Sequence, residues 1–86
     1  MDIKVKIGLR IKELRIEKNL TQEAIAFKAE IDRTFMNHVE NGKRNVSIET
    51  LEKLICGGLE TNFKDFFSSQ LFNGKSYKEH EIKRKN

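Results

Sequence analysis

Apolar residues recur along this chain at helical spacing, and the polar residues between them supply caps. Ile3, Ile7, Ile11 and Leu14 form one stripe, with Arg10, Lys12, Glu13, Arg15, Glu17 and Lys18 on the other side, so residues 3–18 read as an amphipathic helix. Asn19 tolerates the left-handed conformation and can end it. Thr21 is then an N-cap for a second helix from about Gln22 to Ala29, with Glu23 in its first turn, small Ala24 and Ala26, and bulk from Ile25 and Phe27, which cannot share one face equally. Asp32 caps a third helix ending near Glu40, whose apolar face is Phe35, Met36 and Val39 and whose outer face is Arg33, Thr34, Asn37 and His38. Asn41-Gly42 stops that helix, and Lys43-Arg44-Asn45 makes a short basic loop. Ser47 caps a fourth helix with Ile48, Leu51, Leu54 and Ile55 as its buried set, which Gly57-Gly58 ends or loosens. Thr61 or Asn62 caps a fifth, carrying Phe63, Phe66, Phe67, Leu71 and Phe72 and ending at Asn73-Gly74. No segment alternates as a strand does, so the expected fold is all-α, five helices with short connections.

With 86 residues the chain suits one domain, expected over 1–72, followed by a polar basic tail over 73–86. The net charge of +4 is concentrated in that tail: residues 1–72 hold twelve Lys/Arg against eleven Asp/Glu, and residues 73–86 hold five against two. Bulk charge is therefore weak evidence for a nucleic-acid partner, and the pattern of helix three carries more. The single cysteine, Cys56, follows Leu54-Ile55 and reads as a small core residue; it rules out an internal disulfide. His38 and His80 are too far apart in sequence to suggest a metal site, and no cofactor is expected. A Gly-rich phosphate loop, a nucleophile with a readable base and a metal-ligand cluster are all missing, which argues against an enzyme. No apolar run approaches the ~20 residues needed to span a bilayer, so no membrane association and a cytoplasmic location are expected.

The outer face of helix three is rich in hydrogen-bonding groups suited to the DNA major groove. Arg33 can pair bidentately with guanine, and Thr34 offers a hydroxyl and a methyl to a base edge or a phosphate. Asn37 and His38 lie one turn further on. Gln22 sits where helix-end amides attract an anion, and Asn41, Lys43, Arg44 and Asn45 are placed to contact phosphates. Blander roles compete: Thr34 as support for a cap, His38 as a surface residue, Lys43 and Arg44 as a solvated loop. The Phe63, Phe66, Phe67 and Leu71 cluster could fill a monomer core, but so short a chain has little interior for it, and with Leu59 it is expected to form the dimer interface.

Four segments carry a resemblance: Gly8-x-Arg10-Ile11-x-x-Leu14-Arg15, Leu20-Thr21-Gln22-Glu23-x-x-Ala26, Val39-Glu40-x-Gly42-Lys43-Arg44-Asn45 and Ser47-Ile48-Glu49-Thr50-Leu51. Over residues 7 to about 67 the chain resembles the Cro/C1-type (Xre, lambda-repressor-like) helix-turn-helix family. Ile31-Asp32-Arg33-Thr34-Phe35, the small size and Phe66-Phe67 look most like the controller proteins of restriction-modification systems. The resemblance implies a five-helix domain that dimerises through its C-terminal helices and reads two half-sites of a near-palindromic double-stranded DNA operator. It implies a phosphate contact for Gln22, a structural Arg10–Glu40 pair, and RNA polymerase as a further partner where the protein activates. Gly57-Gly58 departs from the family's alanine and leucine near the end of helix four. An antitoxin or other protein-interaction module, with the tail folding on a partner, is the alternative function.

Overall fold

The computed structural model describes residues 1–74, so the expected tail beyond Gly74, with His80, lies outside the described residues. Among them the chain is all helical: α1 (Ile3–Glu17), α2 (Gln22–Ala29), α3 (Arg33–Glu40), α4 (Ile48–Glu52) and α5 (Phe63–Phe66). Side-chain caps set the starts. Thr21 accepts from the Ala24 amide, Asp32 from Phe35, Ser47 from Thr50 and Asn62 from Asp65, each satisfying an amide left without a partner in the first turn. Asp2, which the sequence reading passed over, does the same for α1. Left-handed residues mark the ends, Asn19 at φ 57° after α1 and Glu30 at φ 58° after α2.

One core joins the helices. Ile7, Ile11 and Leu14 of α1 meet Ile25, Ala26 and Ala29 of α2, Met36 and Val39 of α3, then Leu51, Leu54, Ile55, Leu59 and Phe66. After Glu52 the fourth helix does not stop. It continues through Lys53–Gly58 in a wider π-type winding, in which the Leu59 amide reaches the Leu54 carbonyl at 2.8 Å. Gly57 and Gly58 thus close the fourth helix in a loosened winding, as expected, and Gly58 is also buried against α2. A Cβ on Gly58 would sit 2.9 Å from Ile25 Cγ2, so α2 lies against this segment at a distance only glycine permits.

Several expected positions are corrected. Cys56 is exposed, because the buried stripe runs Leu51, Leu54, Ile55, Gly58, Leu59 and passes it by. Ile48 and Ile3 are exposed because each occupies the first turn of its helix, beyond the reach of the neighbouring elements. Phe27 needs no such correction: two bulky residues that cannot share one face are split, Ile25 buried with Ala26 and Ala29 and Phe27 in solvent. The fifth helix is a single turn; the chain then bends at Ser68 and Ser69 and forms a 3₁₀ turn over Gln70–Phe72.

Gly8 marks the closest approach of α1 to α3. A Cβ there would lie 2.5 Å from the Glu40 carbonyl oxygen and 2.7 Å from that of Val39, both backbone atoms unable to swing aside. Gly8→Ala is expected to force the two helices apart and destabilise the domain by about 1–3 kcal/mol, read as a lower urea midpoint with an unchanged m-value.

Candidate nucleic-acid interface

The α2–α3 pair is joined by Glu30, Ile31 and Asp32. The Ile31 amide donates to the Ala26 carbonyl at 2.9 Å, closing α2, and Asp32 opens α3 at once. Met36 and Val39 bury one side of α3, and Phe35 packs half-buried beside them. Arg33, Thr34 and Asn37 are left exposed on the other side, while His38 is half-buried. The helix is thus an outward-facing rod, held by its apolar side.

Its polar side is already organised. Asn37 Nδ2 donates to Gln22 Oε1 at 3.1 Å, and Asn41 Nδ2 donates to Asn37 Oδ1 at 3.2 Å. This relay ties the start of α2 to the end of α3 and brings three of the predicted DNA-contacting residues into one line. Arg33 Nη1 lies 3.3 Å from Glu23 Oε2, with the two side chains 71% and 72% exposed. Beyond α3, Gly42 takes φ 74°, a left-handed turn that suits glycine, and sends the chain into Lys43, Arg44 and Asn45, all exposed. The Arg44 guanidinium lies 5.2 Å from the centre of the Phe35 ring, which orients a cation beside α3. Glu23 and Phe35 were not singled out from sequence as partners of arginines. Glu23 and Arg33 are ten positions apart in sequence, and their meeting stays hidden until the turn at Glu30 folds α2 and α3 together.

A buried ion pair fixes the base of this platform. Arg15 Nε donates to Glu40 Oε2 at 2.8 Å, Nη2 donates to Oε1 at 2.7 Å, and Nη1 donates to the Leu20 carbonyl at 2.9 Å. The hydrogen bond to Glu40 raises Arg15 above arginine's ordinary pKa; burial opposes it and the carboxylate's charge adds to it. The expected partner for Glu40 was Arg10, and this is corrected. Arg10 instead reaches α5, where Nε donates to the Phe66 carbonyl at 2.7 Å and Nη2 donates to that of Asp65 at 2.9 Å, while Nη1 pairs with Glu13. It therefore satisfies carbonyls at the end of α5.

The five residues assigned to a subunit interface separate into two groups. Leu59 and Phe66 are sealed inside the single chain and cannot present a surface to a second copy. Phe63, Phe67 and Leu71 are half-buried and remain at the surface, with the Phe67 ring 4.9 Å from Phe66 and 4.7 Å from Phe72. Leu71 also borders a shallow groove with Leu9 and Ile16 of α1, rimmed by Lys12 and Glu13. Among the described residues no three His, Cys, Asp or Glu side chains gather as metal ligands, and no helix is long and apolar enough to cross a membrane.

Comparison with known proteins gives a consistent outcome. A helix-turn-helix family model matches residues 11–56, from within α1 to the wide turn after α4. The chain is 47% identical over 68 residues to control protein C.MunI of a Mycoplasma species, an overlap of 78% of this chain and 90% of that one. It is 35% identical over 54 residues to control protein C.BamHI of Bacillus amyloliquefaciens, covering 62% and 67%. Among solved structures, the restriction-modification controller protein C.Esp1396I, a tetramer in complex with its natural 35 base-pair operator, superposes with a TM-score of 0.76 at 36% identity, over 85% of this chain and 93% of that one.

Proposed function

The chain belongs to this helix-turn-helix family, and we propose that it is a transcription regulator of the restriction-modification controller type, binding a near-palindromic double-stranded DNA operator as a homodimer. The observation that carries this reading is the row of Arg33, Thr34 and Asn37 on the exposed side of a helix whose opposite side is locked into the core. In this reading Arg33, Thr34, Asn37 and His38 face base edges. Gln22, Asn41, Lys43, Arg44 and Asn45 contact phosphates and set the register of α3 in the groove. The relay from Gln22 through Asn37 to Asn41 supports a division of labour, because one network holds a base-facing amide between two phosphate-facing ones.

One eight-residue helix spans only a few base pairs. A symmetric dimer doubles the contact and sets the half-sites about 34 Å apart. Phe63, Phe67 and Leu71 supply the apolar surface for that dimer, within a domain expected over 1–72 that joins DNA reading to dimerisation. RNA polymerase is the added partner that an activating role requires, and a cytoplasmic location follows from work on DNA.

The test is selection of bound duplexes from a random pool, run with the native chain and with Arg33→Ala. The native chain is expected to enrich a two-fold symmetric site. Arg33→Ala is expected to lose about 1–3 kcal/mol of discrimination at one base pair in each half-site, leaving preference elsewhere intact. A pool from which the native chain enriches no sequence would overturn base reading by α3.

A further inference from the structure

Glu23 is a carboxylate on a face otherwise built to meet a polyanion, and its position beside Arg33 explains why it is tolerated there. We propose that Glu23 is a positioning residue for sequence discrimination: it tethers Arg33 so that this arginine is offered to a base and withheld from phosphates. The inference rests on the DNA-reading role given to α3 above.

Glu23 Oε2 engages Nη1 of Arg33 at 3.3 Å. The guanidinium has two hydrogen-bonding edges, and contact through Nη1 leaves the Nε–Nη2 edge free. That edge can donate two parallel hydrogen bonds, the geometry guanine O6 and N7 require. An untethered arginine is a long, rotamer-rich cation that can reach a nearby phosphate on any sequence. Leaving Glu23 for a phosphate gives up the ion pair and exposes the carboxylate to the DNA backbone, whose charge repels it. The tether therefore weakens binding to arbitrary DNA more than binding to the operator. Glu23 also lies in the first turn of α2, where its charge complements the helix dipole. That role concerns stability alone and predicts no change in which base pair is preferred.

The experiment compares the native chain, Glu23→Gln, Arg33→Ala and the double variant. Equilibrium binding is measured to the selected operator and to a random-sequence duplex over a range of salt concentrations. Glu23→Gln is expected to bind the random duplex about threefold more tightly at low salt and to lose about threefold in discrimination at the base pair read by Arg33. Its log-log salt slope on random DNA is expected to steepen by about 0.9, the signature of one added phosphate contact. In the Arg33→Ala background the same change is expected to leave the slope where Arg33→Ala alone puts it. An equal shift on both duplexes, or a slope change that survives without Arg33, overturns the proposal. A native chain that enriches no site fails the DNA-reading role and this inference together, whereas an enriched native site with discrimination unchanged in Glu23→Gln fails the role of Glu23 alone.

Discussion

Arg15→Ala is expected to destabilise the domain by about 3–5 kcal/mol, enough to leave much of a small domain unfolded at 25 °C. The Glu40 side chain is 2% exposed and that of Arg15 17%, so the carboxylate cannot turn to water when its partner is lost. Two hydrogen bonds to Glu40 and a third to the Leu20 carbonyl disappear in one step. Lysine is not a conservative replacement, because a single ammonium cannot serve both carboxylate oxygens and the Leu20 carbonyl with the planar geometry of the guanidinium. The double replacement Arg15→Met, Glu40→Leu is expected to lose far less than the single changes summed, since it leaves no unpaired buried charge. Urea denaturation of the native chain, Arg15→Ala, Arg15→Met, Glu40→Leu and the double variant measures both claims, and additive losses in the double would show that the pair is not coupled.

The same pair sets a pH expectation from the arginine side. Arg15 is raised in the folded state, so its contribution is fully present below the unfolded arginine pKa and is lost only as pH climbs through the still higher folded value. Between pH 6 and about 10, titration of Arg15 is therefore expected to leave the urea midpoint flat. The functional consequence is geometric. Glu40 is the last residue of α3, and Gly8 lies beneath its carbonyl, so side chain and backbone together fix the end of α3 on α1. The Asp32 cap fixes the other end. Arg33, Thr34 and Asn37 are thereby carried on a rod held at both ends, and correctly spaced donors depend on that rigidity.

Much of this arrangement was legible in the residues. Three caps, Thr21, Asp32 and Ser47, are short polar side chains placed just before apolar periods, and local chemistry suffices to place them, whereas it left Thr61 and Asn62 as alternatives until the structure chose Asn62. The outward side of α3 followed from the spacing of Met36 and Val39 alone. What escaped was set by contacts distant in sequence. Arg10 and Arg15 are both arginines on the polar side of α1, and nothing local says which one meets Glu40; the position of α5 decides, by giving Arg10 two carbonyls to bind. Cys56 was a different kind of miss. Cys56 directly follows two buried residues, but the period through Leu51, Leu54 and Ile55 extends to Gly58 and Leu59 and leaves position 56 facing outward. The glycine pair does loosen and close the fourth helix, but what Gly58 packs on, the surface of α2 at Ile25, lies more than thirty residues earlier in the chain and left no local sign.

Phe66→Ala and Phe67→Ala, adjacent and alike in sequence, are expected to fail in different ways. Phe66 is fully buried in one chain, with Phe67 at 4.9 Å and Phe72 at 5.9 Å between ring centres, so its truncation empties a space that the short α5 and the 3₁₀ turn cannot refill. About 3–5 kcal/mol of stability is lost, and the drop in urea midpoint is much the same at low and high protein concentration. Phe67 lies half-buried over that ring and keeps a face toward solvent. Its loss to a lone protomer is smaller, but in a two-fold dimer each substitution is felt twice, once from each copy. Phe67→Ala is therefore expected to raise the dimer dissociation constant by about 30-fold or more, the effect of an interface residue worth 2 kcal/mol. Operator binding then becomes steeply dependent on protein concentration, because a lone half-site contact is too small to hold the duplex. Sedimentation at several concentrations, paired with urea denaturation, separates the two outcomes. If Phe67→Ala shifts stability while the dimer constant stays put, Phe67 is a lid on the protomer core, and the subunit contact has to be sought along the Leu9, Ile16 and Leu71 groove instead.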